Sequence, residues 1–311
     1  MIVHFNGQLV PHDRATVSVF DRGFLFGDGV YEGLRATKGV VIGLDRHAYR
    51  MRAGLDEARI EGFDAADLGR IADDLLRAQG LREAFIYVQV TRGVPADPET
   101  RARVPARGNP PTVFAYAVPV TPVSECREPE VRRAALRPDT RWTRGHLKSI
   151  SLMGGVLAAI EASEQGSDDA IMHRDGLVTE GTATNVFALI DGVVVTPALA
   201  SAPMLAGVTR ALLMDADPSI IERPVSVEEL RGAQEVMLVG TKTMVASVVS
   251  LDGVPLGASG PHPCARRLLA LLRDAIEADV RRAPAAPPGS APPGSAPPGS
   301  AAPLVGGGVR G

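Results

Sequence analysis

Apolar and polar positions alternate with two different periods along this chain. The opening MIVHFNGQLV sets apolar runs either side of Asn6-Gly7, a dipeptide that supplies the positive φ angles of a tight turn, and so predicts a hairpin. GLRATKGVVIGL predicts a second hairpin about Lys38-Gly39. The period then lengthens. Asp45 is placed to cap a helix running to about Ile60, and Asp64 to Gln79 carries Ala65, Leu68, Ile71, Ala72, Leu75 and Leu76 at helical spacing before Gly80 stops it. AFIYVQVTRG and TVFAYAVPV read as strands, and AVPVTPVSE (117–125), with two prolines, as a linker.

The second half alternates again. VRRAALR reads as a strand, Ile150 to Glu164 as a helix, DAIMHRDG as a strand entering a turn, and NVFALI-DG-VVVTP as a hairpin. GVTRALLMDA follows as a helix, IERPVSV as a strand, EEL as a short helix, EVMLVGT as a strand, and Cys264 to Arg281 as a closing helix. Short strands mixed with hairpins and helices predict an α+β architecture in two domains: 1–117, a linker at 118–124, and 125–282. Residues 283–311 repeat APPGS three times, have almost nothing to bury, and are read as a tail outside the fold.

Composition narrows the chemistry. A net charge of −3 gives no general attraction to nucleic acid or anionic membrane. Cys126 and Cys264 make neither a disulfide framework nor a CxxC metal site, and no run approaches the roughly 18 apolar residues of a membrane helix. With no basic, apolar leader at the start, the expectation is a cytoplasmic protein. GxGxxG and GxxxxGK[ST] are both absent, which removes the Rossmann and Walker phosphate loops. Of 33 lysines and arginines, only Lys38, Lys148 and Lys242 are lysines, so amine chemistry has three candidates.

Lys38 sits in a hairpin turn, where a solvated side chain suffices. Lys148 lies in Trp142-Thr-Arg-Gly-His-Leu-Lys148-Ser, just before small and apolar helix residues. A desolvated ammonium near other cations has a lowered pKa, as an amine nucleophile requires, and Arg144 and His146 are local candidates for the cationic influence. Spacing alone leaves Lys148 either catalytic or structural. Glu180 is followed by glycine and small hydroxylated residues that let a ligand approach the backbone, or is an exposed strand-end carboxylate. Gly207-Val208-Thr209-Arg210 opens a helix whose amides, hydroxyl and arginine would suit a phosphate.

Taken in order, Phe20 to Glu32, His47-Ala-Tyr-Arg50, Val90-Thr-Arg-Gly93, Leu147-Lys148-Ser149, Thr179-Glu180-Gly181, Asn185-Val-Phe187, Leu205 to Arg210 and Gly240-Thr241 resemble the fold-type IV pyridoxal-phosphate enzymes, the class IV aminotransferases. Arg141-Trp-Thr-Arg-Gly-His-Leu-Lys148-Ser and Ile171-Met-His-Arg174 are most similar to the D-amino-acid (D-alanine) transaminases. The resemblance implies a two-domain α+β fold of that type and pyridoxal 5′-phosphate as cofactor. Lys148 would carry the cofactor and move the proton at the substrate Cα, and Glu180 would pair with the ring nitrogen. Arg50, Gly207, Val208, Thr209 and Thr241 would hold the phosphate, and Tyr31 would lie beside the substrate carboxylate. An amino acid such as D-alanine would be the donor and a 2-oxo acid such as 2-oxoglutarate the acceptor, in a homodimer whose partner loop completes the site.

The pattern departs from the D-specific members after Gly93. The loop is longer and its Arg-x-His pair is replaced by Arg101-Ala-Arg103, two arginines that could clamp a carboxylate or be solvated. Lys242 stands beside Thr241, either at the cationic end of the substrate pocket or in water. Tyr31-Glu-Gly-Leu-Arg35 is closer to the branched-chain members. A branched-chain L-amino-acid transaminase is therefore the first alternative, a 4-amino-4-deoxychorismate lyase the next, and a non-catalytic cofactor-binding scaffold the rival of another class.

Overall fold

The computed structural model describes residues 1–97, 101–105 and 107–283, so all of the proline-rich tail but Ala283 lies outside the described residues. Two sheets organise the chain. The first, in the order β2-β1-β6-β5-β3-β4, is built from β1 (Ile2–Phe5), β2 (Gln8–Pro11), β3 (Gly29–Thr37), β4 (Val40–Val41), β5 (Ala84–Thr91) and β6 (Thr112–Pro119), all antiparallel. The first hairpin turns at Asn6 (φ 47°) and Gly7 (φ 86°) as the dipeptide predicts.

Helices α2 (Leu44–Ala58) and α3 (Asp67–Gln79) cover one face of this sheet. Leu68, Ile71, Leu75 and Leu76 of α3 pack with Leu34, Ile86 and Val88, each side chain contributing roughly 1.5–3 kcal/mol as an upper estimate. Two helix starts differ from the sequence reading. Gly43, in the left-handed region, precedes α2, and Asp45 sits within the first turn without capping. Asp64 instead accepts from the Ala66 amide in a turn ahead of α3.

The second sheet holds β7 (Glu130–Pro138), β8 (Asp169–Arg174), β9 (Leu177–Gly181), β10 (Asn185–Ile190), β11 (Val193–Pro197), β12 (Ile221–Arg223), β13 (Glu235–Gly240), β14 (Met244–Leu251) and β15 (Val254–Pro255). It is mixed: β7 runs parallel to both β14 and β8, and β11 parallel to β12. Helices α5 (Val208–Ala216) and α7 (Pro263–Arg282) pack Leu213, Leu268, Leu272 and Ile276 against Phe187 and Met237. The short α6 (Val227–Arg231) adds Leu230 to the cluster of Ile171, Val186, Leu238 and Val248, and α4 (Met153–Glu164) lays Ala158 and Ala162 on β7 and β8.

Besides the single helical turn His12–Arg14 and the two-residue β15, two elements have no counterpart in the sequence reading. One is α1 (Arg22–Phe26), five residues capped by Asp21 accepting from Gly23 N. The other is β14, whose first five residues are all buried against β13 and β7 and whose two serines, Ser247 and Ser250, stand three apart, so no period-two alternation betrays it. The strand expected over IERPVSV is confined to β12, and α4 begins at Met153 and not Ile150. The reason for the late start is that Ser149 and Ile150 are used elsewhere, at the edge of β3.

Candidate active site

Strand β3 distributes its side chains to two faces with period two. Glu32 joins Val30, Leu34 and Ala36 beneath α2, whereas Tyr31 faces the opposite side, its ring centroid 5.3 Å from that of Tyr87 on β5. The edge of β3 is shared. Its far end pairs with β4, and its near end takes the 148–150 segment: Tyr31 N donates to Lys148 O at 3.0 Å, and Ile150 N to Gly29 O at 3.0 Å. Lys148 is thereby fixed by the first sheet although it lies after the whole of that sheet in sequence. Its Nζ stands 4.4 Å from the Tyr31 ring centroid.

Burial pushes the Lys148 amine down to about 8, and the Arg50 charge adds to it against Glu32 and Glu180. Arg144 and His146, the cations expected to do this, instead both pair with Glu57 at the surface, at 2.5 and 2.8 Å. The cation comes from α2 because helix packing brings Arg50 to the site.

Helix α2 presents His47, Met51 and Leu55 inward at helical spacing, with Arg50 one turn from His47. Arg50 grips the fully buried Glu32 from Nε (2.8 Å) and Nη2 (2.7 Å) and gives Nη1 to Ala206 O at 2.8 Å. His47 Nδ1 lies 2.7 Å from the same carboxylate. Burial alone would raise Glu32, but Arg50 and His47 outweigh it and hold the carboxyl down to about 2. Burial keeps His47 low against Glu32, so the neutral ring donates from Nδ1.

Glu180 reaches the site through an irregularity in β9. Pairing runs Ile171 with Gly181 and then His173 with Val178, so Thr179 and Glu180 together oppose Met172, and the extra residue re-aims the carboxylate. Its Oε1 takes Arg141 Nη1 at 2.5 Å, and its Oε2 accepts from Leu205 N at 3.2 Å and Asn185 Nδ2 at 3.3 Å. Burial raises the Glu180 carboxyl against the opposing pull of Arg141. Sequence reasoning gives Arg141 and Asn185 no contact with this glutamate, and no local spacing connects them to it.

Helix α5 opens at Gly207 with no side-chain cap and no acid in its first turn. A Cβ on Gly207 would stand 1.9 Å from Asn185 Oδ1, so only glycine admits this approach. Arg210, grouped with this terminus from sequence, turns away to Pro197 O (3.2 Å) and Glu222 (3.1 Å). The arginine at the helix N-terminus is Arg50. Thr241 starts the three-residue connection from β13 to β14, and its carbonyl accepts from Arg35 Nη1 at 3.5 Å.

Tyr31, Arg50, Arg141, Lys148, Glu180, Asn185, Gly207, Val208, Thr209 and Thr241 line one cavity of about 820 Å³, its open mouth included. The substrate candidates separate. Lys242 is exposed, with Nζ 5.5 Å from the Phe85 ring centroid, and does not line the cavity. Arg101 and Arg103 stack over Phe26 at 5.0 and 5.4 Å, beside a second cavity, on a loop whose carbonyls at 102 and 103 are held by Arg22. Neither reaches the main cavity of its own chain. Among the described residues no group of three or more His, Cys, Asp and Glu could hold a metal, and no helix is long and apolar enough to cross a membrane.

The donor set suits one kind of group: a dianion for Arg50 and the uncapped helix amides, an electrophilic carbon for the amine of Lys148, and a cationic ring nitrogen for Glu180. The comparisons agree with that chemistry. Residues 29–251 match the Amino-transferase class IV family, and the chain belongs to it. A D-alanine aminotransferase of Bacillus licheniformis is 33% identical over 281 residues, 89% of this chain and 97% of that one. A putative branched-chain-amino-acid aminotransferase of Methanocaldococcus jannaschii is 32% identical over 260 residues, 81% and 88% of the two chains. The solved branched-chain aminotransferase of Thermoproteus uzoniensis, bound to norvaline, superposes with a TM-score of 0.77 at 26% identity over 90% of this chain and 95% of its own. The protein is a transaminase of fold type IV, and enzymes of this family depend on pyridoxal phosphate.

Proposed function

We propose that this transaminase takes its amino group from a D-amino acid such as D-alanine and delivers it to a 2-oxo acid such as 2-oxoglutarate. The observation that carries the chemistry is the half-buried Lys148 amine, lowered to about 8, in one cavity with Arg50, Glu180 and the α5 terminus. The donor is argued from the D-alanine aminotransferases, 31–33% identical to this chain. Bound pyridoxal phosphate supplies an aldehyde that takes up the amino group and a protonated ring that withdraws electrons from the substrate Cα.

Arg50, the backbone of Gly207 and Val208, and the hydroxyls of Thr209 and Thr241 bind the phosphate. Lys148 Nζ would hold the cofactor covalently and, once freed by the substrate amine, would carry the proton between the substrate Cα and C4′ of the cofactor. Glu180 keeps the proton at the ring nitrogen, and the Tyr31 ring, beside Lys148 Nζ, borders the substrate carboxylate.

The enzyme works as a homodimer. Ser151, Leu152 and Gly155 line the cavity at the start of α4, and the adjoining Met153, Val156, Leu157 and Ile160 expose an apolar face, Met153 at 68%. A second copy seated there covers that face and brings its Arg101 and Arg103 to the substrate carboxylate.

The branched-chain reading is kept because Arg35, of Tyr31-Glu-Gly-Leu-Arg35, fastens Thr241 O, and because the archaeal relative is nearly as similar. Mixing the cofactor-loaded enzyme separately with D-alanine, D-glutamate, L-leucine and L-glutamate, while following the visible band of the lysine-bound cofactor, separates the two. Loss of the band with D-amino acids alone is expected, and loss with L-leucine alone overturns the donor assignment.

A further inference from the structure

Glu180 ends a buried row of alternating charge. Arg174, the last residue of β8, donates from Nη2 to the backbone oxygens of Asp139 (3.1 Å) and Arg141 (2.6 Å) and pairs with Asp139 Oδ1 at 3.4 Å. Asp139 follows directly on β7, its amide donating to His173 O at 2.7 Å, and its side chain is wholly buried. It holds Arg141 with both oxygens, from Nε at 2.9 Å and from Nη2 at 2.8 Å. The remaining nitrogen, Nη1, goes to Glu180. Every side-chain nitrogen of Arg141 is thus spent on a carboxylate, and the row reads plus, minus, plus, minus from Arg174 to the cavity.

Charges in such a row are coupled because little solvent screens them. How much of the Arg141 charge falls on Glu180 depends on how much Asp139 already draws, and that depends on Arg174. We propose that Asp139 and Arg174 are positioning residues which, acting through Arg141, set how strongly Glu180 holds the proton on the cofactor's ring nitrogen. This rests on the reading, given above, that Glu180 faces that nitrogen.

The signs differ for the two residues. Neutralising Asp139 leaves the whole Arg141 charge on Glu180, which becomes a poorer proton acceptor, and the ring nitrogen holds its proton less firmly. Neutralising Arg174 frees Asp139 to draw Arg141 away, Glu180 becomes a better acceptor, and the ring nitrogen holds its proton more firmly. A row that served only to brace the backbone would move the nitrogen the same way in both variants.

The test is the ring-nitrogen chemical shift of holoenzyme loaded with ¹⁵N-labelled pyridoxal phosphate, followed against pH alongside kcat and KM. In Asp139→Asn the proton affinity of the nitrogen falls about tenfold, and in Arg174→Gln it rises by a smaller factor of about two to three. Arg174→Lys, which keeps the charge, restores the wild-type titration, and kcat follows the nitrogen while KM holds. Arg174 is one-fifth exposed at a strand end, so its two variants carry the test if Asp139→Asn does not fold. Shifts of the same sign in Asp139→Asn and Arg174→Gln, or no shift in either while Glu180→Gln moves the nitrogen, overturn the proposal. A nitrogen indifferent to Glu180→Gln overturns the Glu180 assignment itself, and the proposal with it.

Discussion

Lys148 and Glu32 show what position does to single side chains. A lysine lowered to about 8 is about one-tenth neutral at pH 7, roughly 300-fold more than one at its ordinary value of 10.5. Capture of pyridoxal phosphate by the cofactor-free protein therefore quickens with pH through about 8 and levels off above it. A stopped-flow series from pH 6 to 10 reads this directly, and an inflection near 10.5 counts against a desolvated amine. Lys148→Ala keeps the fold and loses turnover, and transamination by that variant without an added amine excludes Lys148 as the cofactor's anchor. Glu32, held at about 2 against an ordinary 4.5, stabilises the fold by about 3 kcal/mol at neutral pH. Because its folded value is depressed, that stability is complete above about 4.5 and is lost as pH falls toward 2. The stability gap between wild type and Glu32→Gln, measured by urea unfolding, closes over that window; a gap independent of pH would show that the ionised carboxylate is not its source.

Elements aim what residues supply. The extra residue in β9 turns Glu180 into the cavity, and the tight connection from β13 to β14, with Met244 at φ 57°, puts Thr241 at the wall and Lys242 outside it. The α5 terminus depends on contact with β10. In Gly207→Ala the new methyl meets Asn185 Oδ1, and Asn185 must abandon Leu205 O and Glu180 to make room. Since φ at Gly207 is −68°, the cost is steric and local. Cofactor affinity falls about tenfold or more, and the melting temperature of the cofactor-free protein falls by about a few degrees, as expected for two hydrogen bonds lost in a chain of this size. Unchanged affinity by absorbance titration would place the phosphate away from this terminus.

At the scale of the whole molecule, the cavity lies where two sheets meet, and several contacts fasten them together. Lys38 Nζ pairs with Glu277 of α7 at 2.7 Å, Gly43 N donates to Asp279 of α7 at 2.7 Å, and Arg35 donates from Nη1 to Thr241 O at 3.5 Å and from Nη2 to Thr121 O of the connecting segment at 2.5 Å. The exposed apolar face of α4 is an uncovered surface beside the site. The proposed dimer predicts that Met153→Glu with Ile160→Glu gives a monomer by light scattering and removes activity. It also predicts that Arg101→Ala with Arg103→Ala leaves the oligomeric state unchanged but raises KM for the amino acid by at least about tenfold, as expected for loss of a charged clamp. A monomeric wild type, or unchanged KM in the arginine variant, refutes the shared site.

The α+β class and most elements are legible in the sequence because periodicity and turn dipeptides are local; Lys148, Glu180, Arg50, Gly207, Thr209 and Thr241 stand out as candidates through their resemblance to the family's ordered motifs, and the fold gathers them in one cavity. The scarcity of lysine by itself narrows amine chemistry to three positions. Strand β14 is hidden because burial of its first five residues erases alternation, and α1 because five residues carry almost no period. What only tertiary structure decides are the partnerships: Glu57 and not Lys148 for Arg144 and His146, Arg50 and not Arg210 at the α5 N-terminus, Arg141 and Asn185 on Glu180, and Lys242 outside the cavity. These pairs lie far apart in sequence or face away from their neighbours. Charge acts through space at a few ångströms, so which charges meet is settled by packing and not by order along the chain.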